Sequence, residues 1–267
     1  MTTALAPRTR IRPGAIGGVP VPRPVAWGLV GLLVALTLVA LLARVLAPFD
    51  PVQPVGALNL PPLSPGHLLG TDQIGRDLLS RTLLGVQASW FSALAVVAVG
   101  LLVGGLIGLI AGAAGGWVDA VLMRITDLFL ALPGALVAIV WWPYYARIIR
   151  GEAVALAARP HMEAARLAGA GWVRLVTRHL LPGVVPTAVV TASLDIGNVV
   201  LLLAGLSFLG LGQPAPAPEL GADTARALSQ LLSQWWVPGV PGLAVLVLSL
   251  VANVGGDGVR NLLQGRR

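Results

Sequence analysis

Five apolar runs, separated by polar stretches rich in Pro, Gly or Arg, set the rhythm of this chain. They predict membrane-crossing helices at about 25–46, 88–113, 125–142, 184–211 and 235–254. Roughly 20 apolar residues are needed to cross a hydrocarbon core of ~30 Å. The first run, Val25 to Ala43, is nearly uncharged. A cleaved signal peptide would carry an apolar core of roughly 7–15 residues, so this longer run reads as a retained anchor. Residues 1–24, with Arg8, Arg10, Arg12 and Arg23 among Pro and Gly, read as a disordered cytoplasmic tail. Residues 25–262 read as one transmembrane domain and 263–267 as a C-terminal tail. Tryptophans 90, 117, 141, 142, 235 and 236 lie at run ends, where an aromatic belt is expected.

The second run places Gly100, Gly104, Gly108 and Gly112 at four-residue spacing, which predicts close approach of another helix. Between the third and fourth runs the pattern breaks. "EAARLAGAGWVRLVTRHLLP", Glu163 to Pro182, carries Arg166, Arg174 and Arg178, and sets Ala and Gly where a core helix would place Leu. Glu163 to Ala170 predicts one helix, Gly169 and Gly171 a break, and Trp172 to Leu180 a second helix ended by Pro182. The result is a projecting knuckle with a surface small enough for a partner's groove to approach closely. An ordinary amphipathic loop at the membrane interface is the alternative that composition leaves open. Arg147, Arg150, Arg159, Arg166, Arg174 and Arg178 assign the segment to the cytoplasm by the positive-inside rule.

Composition supports a membrane protein. The chain has 267 residues, 56% hydrophobic and 11% charged, with mean hydropathy +0.85. Soluble domains carry about 25% charged residues. Cysteine is absent, which excludes disulfides and thiolate metal sites. Every basic residue is Arg, as expected from base composition. Without Lys the chain cannot form a Walker A phosphate loop. The net charge of +7 does not point to nucleic acid, because the Arg residues flank apolar runs as topology signals.

Asp195 is the only acid deep inside a strong apolar run. A charge at the centre of a membrane helix costs about 2.5–3.5 kcal/mol on insertion scales, so such groups face a pathway or a partner. Asn198, three residues on, shares its helical face. Two readings are open: a polar step lining a translocation pathway, or a structural pair with an Arg or a partner chain. "GTDQIGRDLLSR" holds Asp72, Arg76, Asp77 and Arg81 with no nucleophile, metal triad or phosphate loop beside it. It predicts an external amphipathic helix with Asp77–Arg81 as an i,i+4 pair. His67, His161 and His179 are scattered. Neither a permanent metal cage, nor a cofactor, nor a catalytic residue is expected.

Glu163, Ala164, Ala165, Gly169 and the distal Leu181–Pro182 match the EAA loop of ATP-binding-cassette importer permeases. "HLLGTDQIGRDLLSRTLLG", "AGAAGGWVDAVLMRITDLFLALP", "YYARIIRGE", "LSFLGLGQPAPAPELG" and "NVGGDGVRNLL" resemble the dipeptide/oligopeptide/nickel permease family, second-permease type, from about Ala26 to the C-terminus. "TASLDIGNVVLLLAGLSFLGLG" resembles the nickel branch most closely, where Asp in this helix is usual. The resemblance implies an all-α type I importer transmembrane fold in the bacterial inner membrane, surrounded by lipid. It implies a heterodimer with a second permease subunit, two ATPase subunits below and an extracytoplasmic substrate-binding protein outside. Glu163, Ala164, Ala165, Gly169 and Gly171 of the loop spanning 147–182 would couple the chain to the ATPases. ATP hydrolysis would belong to those partner chains. Nickel or a nickel chelate is the implied cargo, with a dipeptide or oligopeptide the alternative. An ATP-independent secondary transporter is the competing class, and would need inverted repeats or several buried ionisable residues.

The chain departs from that family in one place. Relatives have six spans, two of them between the "FP"-like site, here Leu132–Pro133, and the "YAR" site, Tyr145–Ala146–Arg147. Only "GALVAIVWWPYY" separates the two sites here, enough for one crossing at most. Five apparent spans would put the Arg-rich knuckle opposite the Arg-rich N-terminus, against the positive-inside rule. A segment of roughly 20 residues is therefore expected to be missing. A single compromised helix or a short re-entrant piece is expected across Asp127 to Arg150, with weakened or lost transport.

Overall fold

The computed structural model describes residues 15–16, 19–20, 22–131 and 141–264. Four helices among them are long and apolar enough to cross a membrane. The first is α1, Arg23–Leu46, with Pro24 in its first turn. The second is α2, Leu78–Ala114, capped by Asp77, whose carboxylate accepts from Ser80 N–H at 2.8 Å. The other two are the unit from Trp172 to Phe208 and the C-terminal helix. Upstream of α1, β1 (Ala15–Ile16) and β2 (Val19–Pro20) pair antiparallel, where the sequence predicted a disordered tail.

The expected third span, 125–142, is divided. α3 (Gly116–Leu130) ends within it, residues 132–140 lie outside the described residues, and α4 (Trp142–Ala157) begins at its far end. Gly115 and Gly116, at φ 63° and 55°, turn the chain from α2 into α3 through left-handed backbone that glycine adopts freely. α3 and α4 run antiparallel. Asp119 pairs with Arg150, Asp127 with Arg147, and the rings of Phe129 and Trp142 meet edge to face at 5.3 Å. At 15 and 16 residues each helix is only ~22–24 Å long. Neither alone crosses a hydrocarbon core of ~30 Å.

α4 packs along the inner half of α2, parallel to it. A β-carbon at Gly104 would lie 2.0 Å from the Trp142 carbonyl oxygen, and one at Gly108 2.3 Å from that of Ala146. Gly100 faces Tyr145 and Gly112 faces Ala153. The predicted small-residue face thus finds its partner within the chain. Since α4 descends in the same direction as α2, the chain leaves the α3–α4 pair at the end where it entered. Crossing parity is therefore even, and the topological objection raised by five spans disappears.

After α5 (Pro160–Leu167) and α6 (Trp172–Leu175), a π-turn at Val176–Leu180 runs directly into α7 (Leu181–Phe208). Pro182 does not end the second helix, contrary to expectation. The Leu181 N–H reaches back five residues to the Val176 carbonyl, and this wider turn carries the helix through a residue that lacks its own N–H. The polar loop beyond contains α8 (Leu220–Ala227), followed by α9 (Trp236–Gln264). α9 runs antiparallel to α7: the Ser249 hydroxyl donates to the Gly197 carbonyl at 3.0 Å, and Gly256 lies against Ser193. α1 covers α9 through Leu29 and Leu33, which rest on Gly258 and Gly255.

Residues 47–77 form a cap at the end opposite α5 and α6. The expected amphipathic helix starting near Asp72 is absent: 71–77 is turn, and α2 begins at Leu78. Asp72 pairs with Arg76 at 2.6 Å, while Asp77 accepts from Ser80 and lies 2.9 Å from His67 Nδ1. Arg81 does not pair with Asp77. It binds Asp223 of α8 through two nitrogens and donates to the Pro51 carbonyl at 2.7 Å. A guanidinium forks onto a distant carboxylate more favourably than onto one already occupied by a helix N-terminus.

Two outcomes are expected. Gly104→Ala forces α2 from the α4 carbonyls and destabilises the fold by about 1–3 kcal/mol. Gly105→Ala, with nothing within 4 Å, is neutral or mildly stabilising in the same thermal unfolding assay. The chain has no native cysteine, so single cysteines report sidedness cleanly. Trp117→Cys and Leu167→Cys are expected to react with an impermeant maleimide from one side and Leu58→Cys from the other. Labelling of positions 58 and 167 from the same side would falsify the even crossing count.

Candidate functional site

α5 closes in a Schellman turn. Gly169 takes φ 77°, the Ala170 N–H donates to the Ala165 carbonyl at 3.1 Å, and the Gly169 N–H donates to that of Arg166 at 3.0 Å. Gly171 then serves as the extended N-cap of α6. Glu163, Ala164, Gly169 and Gly171 are exposed, whereas Ala165 is half-buried against the cluster beneath. The knuckle also presents apolar side chains that sequence reasoning missed. Leu167 is 85% exposed, Val173 67% and Trp172 49%. An amphipathic reading turns such residues inward. The structure instead points Met162, Leu175 and Leu180 into the protein and leaves the others outward.

Met162, Leu175, Leu180 and Val184 pack with Leu109 of α2 and with Ile149, Ala153 and Leu156 of α4. Gly183 lies so close to Leu156 that a β-carbon there would be 2.7 Å from its Cδ1. The knuckle is therefore seated on the inner ends of α2 and α4. Its two arms are α4 on one side and the α6–α7 rod on the other.

The same two arms meet again near the middle of α7. Asp195 of α7 is 5% exposed. Its Oδ2 accepts from the Tyr145 hydroxyl at 2.8 Å and from the Trp141 indole N–H. Among the described residues its partners are a phenol and an indole, and no Arg pairs with it. Asn198, expected on the same face, is exposed, so the structure does not bring the two side chains together. A step of three residues rotates by about 60° from alignment, enough to separate a helix-facing from an outward-facing side chain. Trp141 and Tyr145 lie four apart on one helical face. That spacing was visible in the sequence, but nothing local connects it to a residue about fifty positions away.

Arg124, Arg147, Arg150, Arg159, Arg166, Arg174, Arg178 and Arg260 gather at the knuckle end. At the cap end Arg76, Arg81 and Arg226 are each paired with Asp72 or Asp223, and Arg44, in the last turn of α1, is the further arginine there. This asymmetry assigns the knuckle to the cytoplasm and the cap to the outside.

Asp195→Leu would strand the Trp141 and Tyr145 donors. Each buried unsatisfied group costs about 1–3 kcal/mol. Asp195→Leu is therefore expected to lower the thermal midpoint of the purified complex further than either Asp195→Asn, which keeps an acceptor, or Tyr145→Phe. Equal midpoints for Asp195→Leu and wild type would show that the bridge carries no stability.

Residues 132–267 match the family model for the binding-protein-dependent transport system inner membrane component. The chain is 37% identical over 251 residues to the probable D,D-dipeptide transport system permease protein of Escherichia coli (strain K12), covering 87% of this chain and 84% of that one. It is 36% identical over 261 residues to the dipeptide transport system permease protein of Haemophilus influenzae, covering 88% of each. It is also 36% identical over 263 residues to the nickel transport system permease protein of Escherichia coli (strain K12), covering 87% of this chain and 91% of that one. A knuckle between two membrane arms, together with similarity along nearly the whole length of these relatives, establishes that this chain belongs to the peptide- and nickel-importer permeases, the inner-membrane components of binding-protein-dependent transport systems.

Proposed function

We propose that this chain forms half of a permease pair, driven by two separate ATPase chains and fed by an extracytoplasmic binding protein. The observation that carries this reading is the knuckle. Exposed Leu167, Trp172 and Val173 surround the small residues Ala164, Gly169 and Gly171 on a mount fixed to both α4 and α7. A groove on an ATPase chain would bury these side chains, and Glu163 would lie at the rim. Closure of the ATPase pair would then move α4 and α7 together, because Asp195 joins them above the mount.

The cargo proposed is nickel or a nickel chelate, with a dipeptide or oligopeptide as the alternative. The nickel reading rests on Asp195 in "TASLDIG", and the peptide reading on the similarity to dipeptide permeases. On this proposal the Asp195–Asn198 segment of α7 borders the route, with Asn198 facing it and Asp195 bracing the wall behind. The even crossing count answers the topological objection alone; α3 and α4 are each too short to cross. Uptake of radioactive nickel and of labelled glycylleucine by the reconstituted complex discriminates the two cargoes, and the expected weakening or loss of transport is read from the same measurement.

Gly169→Leu tests coupling, but a β-carbon at φ 77° also strains the turn by about 1–2 kcal/mol. Ala164→Leu and Leu167→Asp alter only exposed surface. Both are expected to abolish ATPase stimulation by the binding protein while leaving the permease folded. Wild-type stimulation in both variants would overturn the coupling role.

A further inference from the structure

At the outer end, between α2 and α7, lies a recess of about 270 Å³. Ser89 and Ser92 of α2, Ser207 of α7, Gln213 and Glu219 bring polar atoms to it. Ser89, Ser207 and Glu219 are each 7% exposed. Several other helix hydroxyls bond to carbonyls of their own helix, as Thr37, Thr126, Thr177, Ser193 and Thr224 do, and that of Ser249 bonds to α7. The hydroxyls of Ser89, Ser92 and Ser207 make no such bond, nor any other side-chain bond among the described residues. Two of these residues are buried as a whole, yet their hydroxyls stay open to the same space, where a ligand can take up the unused donors and acceptors.

Glu219 adds the charge. It caps α8 by accepting from the Ala222 N–H at 2.7 Å and, weakly, from the Gly221 N–H at 3.4 Å. Glu is not among the residues preferred at this position, where shorter Asp, Asn, Ser or Thr lead. A carboxylate has about four acceptor sites, so its capacity is half used. Glu219 is in no ion pair among the described residues, and the nearby Arg81 and Arg226 are committed to Asp223. A buried carboxylate with no countercharge favours a cation beside it. Gly212 keeps the rim tight: a β-carbon there would lie 2.3 Å from the Ser207 hydroxyl.

We propose that this recess binds a small cation rich in hydrogen-bond donors, either a hydrated divalent metal ion or the primary ammonium of a peptide. Glu219 supplies the countercharge, and Ser89, Ser92 and Ser207 accept the remaining donors. Among the described residues no group of three or more His, Cys, Asp or Glu could hold a metal, so a metal here keeps its water shell. As a resting place for cargo handed over from outside, the recess rests on the importer reading; as a cation site it does not.

The test uses the complete complex in nanodiscs, titrated calorimetrically with nickel chloride, with glycylleucine and with N-acetylglycylleucine. Saturable binding of nickel identifies the metal source. Binding of glycylleucine but not of its acetylated form identifies the ammonium. Glu219→Gln, which keeps the capping acceptor and removes the charge, is expected to weaken binding at least about tenfold, as loss of a charged hydrogen bond does. The Ser89→Ala/Ser207→Ala pair, which leaves the cap untouched, is expected to weaken it several-fold and remains informative if Glu219→Gln fails to fold. Absence of saturable binding for both nickel and glycylleucine, or binding unchanged in both variants, overturns the proposal. ATP-driven uptake by the wild-type complex is measured separately. Uptake with unchanged binding in the variants removes only the recess, whereas Glu219-dependent binding without uptake removes only the importer reading.

Discussion

Gly104 and Gly108 bring the α4 backbone directly against α2, and the inner half of the molecule depends on that contact. Lipid tails are as apolar as Leu, so membrane helices associate through close packing rather than water exclusion. A hairpin of two short helices has little area with which to hold its place. The glycine seam gives α4 contact at backbone distance along its length. The ion pairs of Asp119 with Arg150 and Asp127 with Arg147 then attach α3 to α4.

That hairpin is half of the knuckle's mount. α4 delivers the chain to α5, and the α6–α7 rod carries it back into the membrane. The cluster around Met162, Ile149 and Leu180 ties the knuckle to both arms at the base, and Asp195 ties them again higher up. Two fixed points hold the arms in register with each other, whereas one would leave them free to pivot. Asp195 thus satisfies one buried and one half-buried donor, and a carboxylate that is costly in an apolar helix has a use inside the chain.

The outer end is organised by charge. Arg81 joins the 47–77 cap, the start of α2 and α8 through Pro51 and Asp223. Pairing Arg76, Arg81 and Arg226 with acids leaves Arg44 as the outer arginine outside an ion pair among the described residues, whereas at the knuckle Arg159, Arg166, Arg174 and Arg178 are in none. The bundle is therefore oriented by the same residues that hold its outer cap closed.

Much of this was legible in the sequence, because it depends on local patterns. Apolar run length determines which segments can cross, four-residue glycine spacing determines a face for close packing, and Glu163 to Pro182 determines a small-surfaced helix pair. Tertiary structure decided what those patterns meet. The partner of the glycine face, the donors to Asp195 and the pairing of Arg81 with Asp223 join residues between about forty and one hundred and forty positions apart. The count of crossings was decided there too. Residues 125–142 read as one span because hydropathy records only how greasy a segment is. Direction of travel depends on which neighbour a helix lies against, and only the packing of α4 along α2 shows that the chain returns to the side from which it came.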